Sequence, residues 1–102
     1  MEIINKKCVI RSYGAGVFFG TVIKKTITPG GYNEVELKDV RRLHYWDGAA
    51  SLSQLATEGV KAPQNCRFTV VVPEMLVSGV IEIIPASEEA IKNIVSVAIW
   101  KR

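Results

Sequence analysis

The run Asn33-Glu34-Val35-Glu36-Leu37-Lys38-Asp39-Val40-Arg41-Arg42-Leu43-His44-Tyr45-Trp46 decides how this chain folds. Glu34 to Leu37 alternates charged and apolar residues, the pattern of an antiparallel strand with one buried face. Unbroken, a period of two puts Val35, Leu37, Arg41, Leu43 and Tyr45 on one face. Glu34, Glu36, Arg42, His44 and Trp46 then take the other. Val40 violates that alternation, and a bulge at Lys38-Asp39 would exchange the two faces beyond it. Both registers stay open at the level of sequence. In either, Arg41 or Arg42 shares a face with an aromatic ring.

Toward the N-terminus, Thr26–Tyr32 holds Pro29-Gly30-Gly31 and is expected to be a hairpin tip. Before it, Val17–Lys25 is β-rich, and Cys8–Arg11 is a short strand. Ser12-Tyr13-Gly14-Ala15-Gly16 joins them as a glycine bend. A lone Gly-x-Gly without a following helix and an acidic partner does not make a dinucleotide loop, so a tight turn is expected.

Toward the C-terminus, Asp47 stands where an N-cap is expected, ahead of a helix from Gly48 to about Glu58. Leu52, Leu55 and Ala56 supply its apolar stripe, and Gly59 suits the position just past its end. Cys66–Val72 is expected as a strand stopped by Pro73, and Val77–Ile84 as another stopped by Pro85. A last helix starts at Ser87, with Glu88-Glu89 in its first turn and Ala90, Ile91, Ile94, Val95 and Ala98 as its stripe. The expected fold is α+β: a curled antiparallel sheet, a small barrel-like meander of about five strands, with one short central helix and one C-terminal helix.

The chain has 102 residues, 48% apolar and 23% charged, which fits one domain spanning 1–102. Its net charge of +3 lies entirely in residues 1–51, a mild excess that suits an anionic partner. It falls short of what duplex DNA binding demands, so nucleic acid is the least expected partner. Two isolated cysteines, Cys8 and Cys66, make neither a disulfide scaffold nor a metal site. No apolar run reaches the ~20 residues of a membrane helix, and the expected setting is cytoplasmic.

The chemistry available points to binding. One histidine and no Gly-x-Ser-x-Gly elbow leave His44 with Ser51 or Ser53 as the only nucleophile–base pair in reach, and a strand-end histidine is the plainer explanation. No spacing suits zinc, and neither metal nor cofactor is expected. Arg41 and Arg42 offer planar forks for phosphate, and Tyr45 or Trp46 offers a surface for a base. Gly48, Ala49 and Ala50 open a helix start with little side chain to obstruct an anion, and Gly48, Ala49 and Ser51 are the candidate ligand-binding residues there. An Asp47 cap would instead occupy those donors and repel phosphate. Arg11 and Tyr13 are placed to complete a pocket from the glycine bend, with His44 beside it. Whether Trp46 belongs to the site or to the core is open.

At Arg11-x-Tyr13-x-Ala15-Gly16-Val17, and more strongly over Arg41–Gly59, the chain resembles a family of short bacteriophage and prophage proteins of unknown function. Tyr45-Trp46-Asp47-Gly48-Ala49-Ala50-Ser51-Leu52 is the most distinctive part. The likeness extends through Asn65-Cys66-Arg67-Phe68, Glu82-Ile83-Ile84-Pro85 and Trp100. It implies a small phage-encoded accessory protein and brings no assigned catalytic residues to carry over. Proteins of that setting often counter host defence, and one strategy is to sequester its nucleotide second messengers with small oligomers that have basic, aromatic pockets. The expected function is therefore a non-enzymatic homo-oligomer binding a small anionic, nucleotide-like ligand in the host cytoplasm. The alternatives are a protein-binding inhibitor or adaptor, and single-stranded nucleic-acid binding.

Overall fold

A computed structural model describes residues 1–102, and its longest strand is β3, Asn33–Tyr45. The bulge register holds. Against β2 (Gly16–Ile27), Phe19 pairs with Arg41 and Thr21 with Lys38, so Gly20 alone faces two residues of β3. Asp39 carries the extra residue at φ 53°, a left-handed conformation that aspartate tolerates better than most L-residues. A Cβ on Gly20 would meet Val40 Cγ2 at 3.2 Å and the Lys38 carbonyl at 3.3 Å, which explains a glycine inside the partner strand. Val35, Leu37 and Val40 thereby share one buried cluster, while Leu43 enters another.

The sheet is antiparallel and six-stranded, with β4 (Arg67–Phe68), β3, β2, β1 (Lys7–Ser12) and β6 (Val80–Pro85) in spatial order. β5 (Val72–Ser78) pairs with β3 on the same edge as β4. β4 and β5 thus run end to end along β3, parted only at 69–71. Sequence alone placed a stop at Pro73, but Pro73 lies within β5. An edge strand accommodates a residue with no N–H to donate.

Only Gly79, at φ 66°, separates β5 from β6, although these strands occupy opposite edges of the sheet. The sheet must therefore curl until its edges approach, although no ladder closes it. Ser12 Oγ donates to the Ser78 carbonyl at 2.7 Å, and Tyr13 N–H to the Gly79 carbonyl at 2.9 Å. The bend after β1 is thereby fastened to the corner.

Curling gives the central strands two covered faces, hence the consecutive apolar pairs in Cys8-Val9-Ile10 and Phe18-Phe19. Cys8, Ile10, Phe18, Val22, Val35, Leu37, Val40, Val77 and Val80 form the inner cluster. Val9, Phe19, Leu43 and Phe68 face outward and pack with residues of the helices α1 (Leu52–Glu58) and α2 (Glu88–Ser96). α2 starts where its sequence indicates: Ser87 Oγ accepts from Ala90 N–H at 3.0 Å. Of its stripe, Ala90 and Ile94 are buried, whereas Val95 is exposed.

Both cysteines are free and buried. Burial pushes the Cys8 thiol up to about 11 from 9.0, with Lys6 opposing the shift. The folded state therefore holds this proton more tightly than the unfolded chain does. The stability it lends is whole below pH 9 and is lost as the pH rises through about 11. Native Cys8 is expected to resist a thiol reagent at pH 8 and to react once urea unfolds the chain. Rapid labelling in the folded protein would show that the inner cluster opens easily.

Candidate functional site

Three turns that the curl of the sheet brings together surround an open hollow of about 990 Å³. That is the upper end of the ~300–1,000 Å³ typical of small-molecule sites. Its walls come from the β1–β2 bend (Ser12–Ala15), the β2–β3 tip around Tyr32 and the β5–β6 corner at Gly79; Phe18 and Arg42 also line it. The bulge in β3 matters here. It turns Arg42 to the same side as the inner cluster, where its guanidinium carbon lies 4.6 Å from the Phe18 ring centroid. Arg42 Nη1 also donates to the Ala15 carbonyl at 2.7 Å. The guanidinium plane is thus held by a ring and one bond, and its other donors have no partner within the chain.

Two tyrosines stand over this hollow, Tyr13 at 89% exposure and Tyr32 at 67%. Tyr32 is set by its own turn: its N–H donates to Thr28 Oγ1 and its carbonyl accepts from Thr28 N–H. Glu34 lines the same hollow and accepts from Ser78 Oγ at 2.8 Å. The arrangement offers one planar cation, two exposed phenol rings and one half-engaged carboxylate. Those groups can hold a small anion that carries a flat ring.

Of the residues singled out from sequence, Arg42 and Tyr13 meet in this hollow. Arg11 is exposed on β1, opposite Val17 and Glu82, and does not line it. Arg41 lies on the opposite side of the sheet and is 4% exposed. Its Nε donates to the Thr69 carbonyl at 3.0 Å and its Nη1 to the Ile94 carbonyl at 2.8 Å. Its Nη2 reaches the Phe68 and Ala98 carbonyls at 3.2 and 3.4 Å. The gap between β4 and β5 is filled by this side chain. Burial pushes its guanidinium below the usual arginine range, and the carbonyl end of α2 stands in for a counter-ion. Arg41 therefore supports the fold and is not available to a ligand, a correction to its expected role.

The helix start is corrected as well. Asp47 does not cap α1; its Oδ2 accepts from Asn65 Nδ2 at 2.9 Å. Ser51 is the N-cap, accepting from Gln54 N–H at 3.0 Å, while Gln54 Oε1 takes the Ala50 N–H at 2.7 Å. These two bonds engage the Ala50 and Gln54 N–H groups, and seven residues of helix offer an anion little dipole. Ala49 and Trp46 are half-buried against the outer cluster, so the indole belongs to packing.

Gly48 is a close approach, not an opening. At φ 92° it brings its backbone so near the facing strand of chain that a Cβ would sit 2.5 Å from the Lys61 and Ala62 nitrogens. Gly48→Ala is expected to cost roughly 2 kcal/mol or more, from left-handed strain plus a backbone clash. A lowered urea midpoint would check this, and an unchanged one would deny the close approach. His44 and Tyr45, finally, lie outside the hollow, on a surface shared with Arg67 and Trp100.

Tyr32, Glu34 and Phe18 were not singled out from sequence. Pro29-Gly30-Gly31-Tyr32 does carry a signal, an aromatic residue at a hairpin tip with nothing local to pack on. The curl that brings this tip and Arg42 to one hollow is a property of the whole sheet.

A curled, open antiparallel sheet backed by two helices, with a hollow lined by Arg42, Glu34 and two tyrosines, defines an α+β protein. The chain belongs to the family described as a domain of unknown function, DUF6948, which matches residues 5–94. Comparison with curated proteins and with solved structures finds no match.

Proposed function

We propose that this chain is a non-enzymatic binding protein whose hollow captures a small anionic ligand bearing a flat ring, a nucleotide in the first instance. The observation that carries this is Arg42. It is exposed, ring-supported and free of any ion pair, the only such pair in the chain being Lys61–Glu58. In this reading Arg42 holds phosphate through its free donors. Tyr13 and Tyr32 stack on the base, each such contact being worth roughly 1–3 kcal/mol. Glu34 accepts from ring N–H groups with its unengaged oxygen.

The resemblance to phage-encoded accessory proteins supports a nucleotide second messenger of host defence as the ligand, held and not altered. A homo-oligomer belongs to the same proposal. Val71, Val95 and Ile99 are each about half exposed around one shallow depression, apolar surface that a second copy would bury. Titration calorimetry against cyclic dinucleotides, cyclic trinucleotides and cyclic ADP-ribose isomers tests the proposal. Heat from one of them, with micromolar affinity or better, is expected; silence from all at millimolar concentration refutes it.

A further inference from the structure

We infer that the outer surface of Tyr45, Arg67, Trp100 and His44 is a second site, independent of the hollow, which receives single-stranded nucleic acid. The four side chains form a column. The Arg67 guanidinium carbon lies 6.0 Å from the Tyr45 ring centroid and 5.5 Å from that of Trp100. The His44 ring stacks on Trp100 at 5.2 Å with an interplanar angle of 3°. β3 supplies His44 and Tyr45, β4 supplies Arg67 directly opposite Tyr45, and the chain after α2 supplies Trp100. Trp100 is fixed by its N–H, which donates to the Phe68 carbonyl at 2.9 Å.

Two features distinguish this column from ordinary tail packing. Aromatic rings hold the Arg67 guanidinium, yet it makes no hydrogen bond or ion pair within the chain. A guanidinium stacked on rings keeps its edge donors for an anion and has already lost most of its rotamer freedom. The nearest acid in sequence, Asp47, is engaged by Asn65. Lys101 and Arg102, both exposed, follow Trp100 in the chain and add positive charge next to it in sequence.

The shape of the surface selects the partner. None of the larger hollows is lined by these residues, so an enclosed small molecule is not what they fit. An extended polyanion with flat rings is, since its phosphates meet the guanidinium edge and its bases meet the exposed ring faces. A duplex hides its bases and fits poorly. The net charge of +3 made nucleic acid the least expected partner, but an average over the chain hides this local gathering.

Fluorescence anisotropy with labelled poly-dT and poly-rU strands of about twelve nucleotides, at low salt, tests the site. Binding is expected, with a log–log salt slope of roughly −1.5 to −2, as two or three neutralised phosphates on a single strand give. Arg67→Ala and Tyr45→Ala should each weaken it roughly tenfold or more. Arg67→Lys should weaken it too, because it keeps the charge and loses the stacked plane. Lys24→Ala, the same charge change on an exposed β2 position, should leave affinity within about twofold. Hydrogen exchange of the sheet amides confirms that each variant is folded. No binding at low salt overturns the inference. So does equal affinity for duplex, equal competition by polyglutamate, or a loss in Lys24→Ala matching that in Arg67→Ala.

Discussion

Replacing Arg41 with methionine is expected to destabilise the fold by roughly 3–5 kcal/mol, the range seen when one side of a buried charged network is removed. Methionine preserves the reach of the side chain but supplies no donors to the carbonyls of Phe68, Thr69, Ile94 and Ala98. Each carbonyl left dry and unpaired costs about 1–3 kcal/mol. Relief from desolvating the guanidinium returns part of this. For a chain of this size the loss corresponds to a fall in Tm of very roughly 12–25 °C or more. Arg41→Lys should recover only a fraction, since one ammonium cannot reach carbonyls on two elements at once. Native-state hydrogen exchange should show the effect first around Trp100, whose N–H bond to Phe68 lies beside the lost guanidinium. A change below about 1 kcal/mol would mean that water replaces the arginine at no cost.

The adjacent residue should behave in the opposite way. Arg42→Ala is expected to leave stability within about 1 kcal/mol, because the side chain is exposed and makes one bond, to Ala15. Its effect should fall on ligand affinity. Charged hydrogen bonds are worth about 1.5–3 kcal/mol each, so phosphate capture should weaken roughly 10- to 150-fold. Tyr13→Ala and Tyr32→Ala should each weaken binding roughly 5-fold or more through lost stacking. Calorimetry and a urea curve on the same preparations separate the two arginines. Were Arg42→Ala to unfold the chain while Arg41→Met stayed folded and lost ligand affinity, the assignment of the two faces would be reversed.

Much of this was legible in the sequence because it depends on near neighbours. The alternation at Glu34–Leu37, the Pro29-Gly30-Gly31 turn and the Ser87 cap all report on residues a few positions apart. A bulge was legible as one of two registers, since Val40 fell out of phase, and Asp39 at φ 53° is what decides between them. The fate of Arg41 was not. Its partners lie 27 to 57 residues away, across β4 and α2, and nothing adjacent announces them. Asp47 looked like a cap because aspartate is a favoured cap and small residues follow it, but the helix begins four residues later, where Ser51 accepts from Gln54 N–H. The compact cluster Arg41–Trp46 therefore looked like one site. A strand sends neighbours to opposite faces, and the fold distributes that cluster among a core, a hollow and an outer column.

The most direct test of the hollow is a ¹H–¹⁵N correlation spectrum recorded during titration with the nucleotide that gives heat. Shifts should concentrate on the amides of Gly14, Ala15, Gly31, Tyr32 and Gly79, which ring the hollow, and on the Arg42 side-chain Nε–H. Shifts confined to Gly48–Ser51, or spread evenly over the surface, would contradict capture by these turns.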